Sequence, residues 1–295
     1  MTEDELRRGA VIQLAGLDQP IELLLPAKRT DGSWFLLLRD NYSVVASADA
    51  VRNATLLKQA NPLVPVVQNG QLTVPLYHGT NSVWYESIRA HGLGGRNVIG
   101  EFRVIELLAE LLAISHAAGI PRENYHVSAE VIAAQKVVPN GWNFRHGSTY
   151  LCASAMKAAG YATDKRCGSE AIEYCFILYD SIRASRPDLL ESVMPKMEPL
   201  LSLAEKSGVP LVLEVRSIPV TILRDEHGGD VSGELNVLSE LVTWHADDMP
   251  SFGQMVIIES IGVIPPSSIT AYTFGQNYVC QSSKVDLVPW PASSS

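Results

Sequence analysis

The triplet His78-Gly79-Thr80 and the tyrosines Tyr150 and Tyr161 are the residues whose types and spacing point to chemistry. The triplet leaves an apolar run, QLTVPLYHGT, and enters NSVWYESIRAHGLGG. The tyrosines stand eleven residues apart in HGSTYLCASAMKAAGYA. A short strand followed by about two helical turns returns the second ring beside the first. Two rings so placed can sandwich a flat aromatic ligand, each aromatic pair contributing roughly 0.5–1.5 kcal/mol. Taken singly, these residues have plainer readings. A histidine beside apolar residues is usually a satisfied structural residue, and tyrosines on a strand and a helix usually sit at the edge of a core.

The elements that must position them can be read from pattern. QLTVPLYHG reads as a buried strand, and NSVWYESIRAHGL as a helix capped by Asn81 or Ser82 and left at Gly92. EFRVIELLAELLAISHAAG carries apolar residues on a 3.6-residue period and is a helix ending near Gly119. SAEVIAAQKVV is a shorter helix. STYLCAS is a strand, and AMKAAGYATDK an alanine-rich helix. EAIEYCFILY suits a strand, while RPDLLESVMPKMEPLLSLAEKSG is helical, kinked or split by Pro195 and Pro199. VPLVLEVRSIPVTILRDE gives one or two strands, GELNVLSELVTWH fits helix or strand, and QMVIIESIGVI is a strand before SITAYTFG. Upstream, IELLLPAK and SWFLLLRD are strands, ADAVRNATLLKQA a helix, and NPLVPVVQNG a linker or turn. A boundary near residue 65 follows, with residues 1–65 a β-rich segment and 66–295 the main domain. Strands and helices intersperse without regular βαβ alternation, so the fold class is α+β.

Composition excludes several classes. The chain has 295 residues, 46% hydrophobic, enough for a substantial core. Its formal net charge of −9 argues against non-specific adhesion to DNA or anionic lipid. The start MTEDELRRGA lacks the apolar stretch of a signal peptide, and no run approaches the roughly 20 residues of a membrane span. Cys152, Cys167, Cys175 and Cys280 form no CxxC, which fits free thiols and a cytoplasmic home with no membrane partner. No dinucleotide-binding glycine fingerprint, P-loop, HExxH or GxSxG is present. HADD at 245–248 and DEHGGD at 225–230 read as acidic turns rather than metal ligands, so no metal is expected.

Together, the HGT stretch with its GL turn and the Tyr-helix-Tyr stretch resemble the ADP-ribosyltransferase superfamily, in its His-Tyr-Glu branch of diphtheria toxin and the poly(ADP-ribose) polymerases. The resemblance runs over roughly residues 74–274. It implies a split β-sheet core with flanking helices, here with a helical insertion at about 100–140, and NAD as co-substrate. It implies that the Gly79 backbone grips the nicotinamide carboxamide, with Thr80 beside it. It also implies that His78 bonds a ribose hydroxyl of the adenosine half, and that Tyr150 and Tyr161 flank the nicotinamide. Arg96 and Arg103, just past GLGG, are placed to meet the diphosphate, against a plain reading as surface arginines.

Two positions depart from the branch pattern. The third motif is a strand opening with Glu, and GQMVIIESIGVIPPSSI is its counterpart, with Gln254 where the catalytic Glu would stand. A Gln keeps a hydrogen bond but not the charge that stabilises an oxocarbenium. Glu259 lies five residues on, an odd offset that puts it on the opposite face of a continuous strand. Glu240 fills the role only if the strand assignment fails. On the inter-tyrosine helix, Ala158 replaces the branch's small hydroxyl residue.

The resemblance implies a mono-ADP-ribosyltransferase acting on a macromolecular acceptor, protein or nucleic acid. A toxin or effector role, with an antitoxin as neutralising partner, is family analogy. The rivals are a catalytically inactive NAD or ADP-ribose-binding module, and an RNA 2′-phosphotransferase of the same fold. The latter family carries arginines where Tyr150 stands.

Overall fold

The computed structural model describes residues 10–14, 19–28, 33–38, 43–58, 65–137, 143–206, 208–243, 256–274 and 285–290. Contacts divide the chain into two units, Met1–Val64 with Val242–Trp244, and Pro65–Leu241 with His245–Ser295.

In the first unit, β1 (Val11–Gln13), β2 (Ile21–Lys28), β3 (Trp34–Leu38), β4 (Ser43–Ala46) and β5 (Thr55–Lys58) form an antiparallel sheet ordered β4-β3-β2-β1-β5. Ile12, Leu23, Trp34, Leu36 and Ala46 point inward. The helix expected over ADAVRNATLLKQA is only α1 (Ala48–Arg52). Ser47 starts it by accepting the Ala50 N–H at 3.1 Å, and Asn53 ends it. From Thr55 the chain pairs with β1 instead, because strand pairing satisfies the backbone that a second helical turn would have used.

The second unit opens with a hairpin, β6 (Val67–Gln68) and β7 (Gln71–Leu72). Asn69 and Gly70 form its turn at φ 51° and 74°, the left-handed pair that an Asn-Gly dipeptide supplies. The main sheet holds β8 (Leu76–Asn81), β9 (Thr149–Cys152), β10 (Pro210–Val215), β11 (Leu223–Asp225), β12 (Ile257–Ser260), β13 (Ile269–Phe274) and β14 (Leu287–Pro289). Its order is β11-β12-β9-β8-β10-β13-β14, and every pairing is antiparallel, so the α+β class holds. The expected strand over QMVIIESIGVI is shorter than its apolar pattern, beginning only at Ile257.

The helices are α2 (Tyr85–His91), α3 (Val98–Glu101), α4 (Val104–Ala117), α5 (Asn124–Ala133), α6 (Ala155–Asp164), α7 (Glu170–Ser185), α8 (Met194–Ala204) and α9 (Ser232–Thr243). EAIEYCFILY is the start of α7, not a strand. Its buried residues Ala171, Ile172, Cys175, Phe176, Tyr179 and Ile182 recur at helical spacing, and Ser169 caps the first turn. The apolar run looks continuous only because the stripe is wide. GELNVLSELVTWH resolves as helix α9. Pro195 sits in the first turn of α8, where its missing N–H costs nothing, and Pro199 lies inside it. α4, α5, α7 and α8 share one apolar core around Leu108, Leu111, Ile132 and Phe176. Each such side chain contributes about 1.5–3 kcal/mol by leaving water. Among the described residues no helix is long and apolar enough to cross a membrane.

Candidate functional site

Strand order places three chemistry-bearing residues side by side. β8 carries His78, its neighbour β9 carries Tyr150, and β12 beyond it carries Glu259. Tyr150 and Glu259 are direct cross-strand partners, so their side chains leave the same face. The His78 Nδ1 lies 2.8 Å from the Tyr150 carbonyl oxygen. A carbonyl only accepts, so Nδ1–H donates and Nε2 is left as an acceptor. Burial lowers the imidazole's proton affinity, with the Tyr150 hydrogen bond opposing it. Neutral His78 therefore presents a bare Nε2, for which no partner occurs among the described residues.

Gly79 and Thr80 are buried, so His78 is the member of the triplet with a partly accessible side chain. The glycine has a packing reason of its own. A Cβ on Gly79 would collide with the Ala158 carbonyl oxygen, where α6 crosses β8. Ala158 is itself buried at 1% exposure, so a small residue there lets the helix approach the strand. The turn after α2 is equally constrained. Gly92 has φ +80°, and a Cβ would strike the Ile264 carbonyl. Leu93 and Ile264 exchange backbone hydrogen bonds of 2.9 and 3.0 Å, joining the end of the histidine stretch to the tail of the third motif.

Tyr150 lies on β9 and Tyr161 on α6, the helix that follows it, and Tyr150 is the last of the causes raising the Tyr161 pKa. Tyr161 is 40% exposed. Yet burial is the first cause pushing its hydroxyl up to about 12, followed by the Glu170 carboxylate. The Glu170 backbone N–H bonds the hydroxyl and opposes the rise. Tyr150 is partly buried, and its hydroxyl accepts from Asn143 Nδ2 at 3.0 Å. Its pKa is raised by burial first and by Glu259 next.

Glu259 differs from its expected placement. The sequence reading set it on the face opposite Gln254, assuming one strand through both. β12 starts at Ile257, and Gln254 lies outside the described residues. Glu259 shares the Tyr150 face but is only 3% exposed. Its Oε2 accepts from Arg145 Nη2 at 3.0 Å. Arg145 is further held by Asn143 Oδ1 at 3.4 Å from Nε and by the Glu226 carbonyl at 3.4 Å from Nη2. Asn143 thus links the ion pair to the Tyr150 hydroxyl. Glu240 lies on helix α9 rather than on the sheet.

The arginines after GLGG stand apart from this cluster. Arg96 forks onto Glu101 with bonds of 2.9 and 2.5 Å and is half exposed. Arg103 is exposed and pairs with Glu106 at 3.4 Å. DEHGGD is a structured turn, in which Asp225 Oδ1 accepts the His227 and Gly229 N–H groups at 2.8 and 2.7 Å. HADD lies outside the described residues. Among the described residues no three His, Cys, Asp or Glu side chains gather as a metal site.

A second polar cluster escaped the sequence reading. His146 Nδ1 donates to the Phe144 carbonyl at 2.9 Å, and its backbone N–H donates to Gln135 Oε1 at 2.8 Å. Gln135, just past α5, thus fixes the segment leading into β9. His146 Nε2 lies 3.9 Å from Glu170 Oε2, and Lys165 Nζ lies 4.0 Å from Glu170 Oε1. The HG of His146-Gly147 repeats the HG of the first stretch and was the only signal available. Glu170 was hidden by reading α7 as a strand. Scans against protein-family models, against curated proteins and against solved structures each found no match.

Proposed function

We propose that this chain is a mono-ADP-ribosyltransferase that uses NAD as co-substrate and modifies a macromolecular acceptor. The observation that carries this reading is the hydrogen bond from His78 to the Tyr150 backbone, with Tyr161 on α6, the helix that follows the Tyr150 strand. It joins an acceptor nitrogen suited to a ribose hydroxyl with two rings suited to a flat heterocycle. In the reaction, the bond between nicotinamide nitrogen and the anomeric carbon breaks. Its electron pair returns to the ring, and the ribose becomes oxocarbenium-like until the acceptor's lone pair attacks. Holding the ring and the ribose in place lowers the barrier by orientation. A protein side chain and a nucleic-acid base are both chemically suitable acceptors.

The Arg145–Glu259 pair favours a second reading. The carboxylate beside Tyr150 is buried and neutralised, so it supplies little to a developing positive charge. A module that binds NAD or ADP-ribose without turnover needs no such charge. A time course of free nicotinamide from NAD, with and without cell lysate, separates the two. Release only with lysate is the expected result. Binding of NAD without release in either condition would replace the transferase with the binding module.

A further inference from the structure

Any site that holds NAD by its nicotinamide end faces a cationic ring before bond cleavage and a cationic ribose after it. A carboxylate within reach stabilises both. The carboxylates that act most on the two tyrosines, Glu259 on Tyr150 and Glu170 on Tyr161, differ in availability. Glu259 is 3% exposed and bound to Arg145 at 3.0 Å. The Glu170 side chain is 30% exposed, and its two partners, His146 and Lys165, stand at 3.9 and 4.0 Å, the outer limit of an ion pair. It lies against His146, four residues before Tyr150, and Lys165, four residues after Tyr161, which sets it beside both tyrosine-bearing segments.

We propose that Glu170 is the carboxylate that touches the cationic nicotinamide–ribose end of the substrate, and that His146 is its positioning residue. This rests on the ADP-ribosyl reading and deepens it by assigning the charge-stabilising group to α7 rather than to the third strand. When the C–N bond breaks, the positive charge moves from the ring nitrogen to the ribose. Glu170 faces it throughout, and the acceptor's proton leaves to solvent. His146 controls whether that carboxylate is free. Burial lowers its proton affinity below the ordinary 6.5, with the Phe144 hydrogen bond and Glu170 opposing, so near neutral pH it is uncharged and Glu170 stays unpaired by it. A protonated His146 would draw Glu170 into an ion pair. The other charged or titratable groups facing this pair are Lys165, from the turn after α6, and Tyr161 on α6.

The test is calorimetric binding of NAD and of ADP-ribose, which lacks the cationic ring, to the full chain and to Glu170→Gln. The variant is expected to lose roughly tenfold in NAD affinity while ADP-ribose binding holds, as a lost charge pair at a part-exposed site implies. Nicotinamide release with lysate is expected to fall on the order of 10²-fold, the usual effect of removing one transition-state-stabilising group. Glu170→Asp should restore part of both. The parent's preference for NAD over ADP-ribose should decline as pH drops below 6.5, and His146→Gln should abolish that decline. Equal NAD-to-ADP-ribose ratios in parent and Glu170→Gln would overturn the assignment while leaving the ADP-ribosyl reading intact. Equal loss of both ligands with a lowered melting point would make Glu170 structural and overturn it too. A parent that binds neither ligand would remove the reading and the assignment together. An acid decline that persists in His146→Gln would remove the positioning role.

Discussion

The two ends of the tyrosine pair carry the same functional group in opposite states. At the β12 end, Glu259 is sealed from solvent and bound by Arg145, which Asn143 and the Glu226 carbonyl hold in turn. At the α7 end, Glu170 is partly open, with two distant partners. A carboxylate sealed against a guanidinium is committed to structure, because releasing it leaves a charge in a low-dielectric place. One at the outer limit of its partners can turn to a ligand without that cost. Residue type and position in a motif do not set the role; burial and partner distance do.

That contrast breaks most visibly in stability. Removing one partner of a buried pair costs about 3–5 kcal/mol, and the one-third exposure of Arg145 puts the effect near the lower figure. Arg145→Ala is therefore expected to destabilise the larger unit by about 3 kcal/mol in urea unfolding. Adding Glu259→Leu should recover more than half of it by removing the stranded charge. Glu170→Gln should shift stability by less than about 0.5 kcal/mol, as substitutions outside buried networks do. If Arg145→Ala and Glu170→Gln cost the same, the two ends are not different in kind.

Next in size is Tyr161→Ala. An exposed ring adds little to the core, so unfolding should be nearly unchanged. NAD affinity should fall by roughly 0.5–1.5 kcal/mol, the stacking contribution of one ring. Unaltered NAD affinity with normal folding would take Tyr161 out of the ligand's path.

The smallest effect is a pH dependence. His126 is fully buried between α4 and α5, accepts the Glu123 N–H at Nδ1 (3.1 Å) and lies 2.9 Å from Ser115 Oγ at Nε2. Nδ1 accepts, so Nε2–H donates to the serine and the neutral ring satisfies both neighbours. Burial first, and the His116 charge next, lower its pKa from 6.5. The folded state then binds fewer protons than the unfolded one. Stability is complete above 6.5 and falls as pH drops below it toward the folded-state value. Melting points at stepped pH should show this decline for the parent, and a shallower one for His126→Gln. An identical slope in both would assign the effect to His78 and His146, whose pKa values are lowered as well.

Much of this arrangement was legible locally. His78, Tyr150 and Tyr161 are set by short-range patterns: a strand exit, a strand entry and two helical turns. The Asn69-Gly70 turn, the α4 helix and the end of α2 at Gly92 follow from the same kind of signal. The rest depends on contacts distant in sequence. Glu259 meets Arg145 across 114 positions, and nothing within either segment announces it. Its face could be read only with the true start of β12, and the apolar pattern ran on past it. α7 deceived because a wide buried stripe in EAIEYCFILY imitates a buried strand. Glu170 went unnoticed with it. Gly79 had a ligand-based explanation available, but the geometry supplies a helix crossing the strand.

The central claim, that the His78–Tyr150–Tyr161 corner receives a dinucleotide, is tested most directly by calorimetric titration of NAD into the parent, His78→Ala and Tyr150→Ala at matched melting points. The parent should bind. His78→Ala should lose on the order of 1–3 kcal/mol of affinity, the cost of a hydrogen bond to a ribose hydroxyl. Tyr150→Ala should lose roughly 0.5–1.5 kcal/mol of affinity, the stacking contribution of one ring, while remaining folded. No heat from the parent, or equal affinity in all three proteins, would contradict the account.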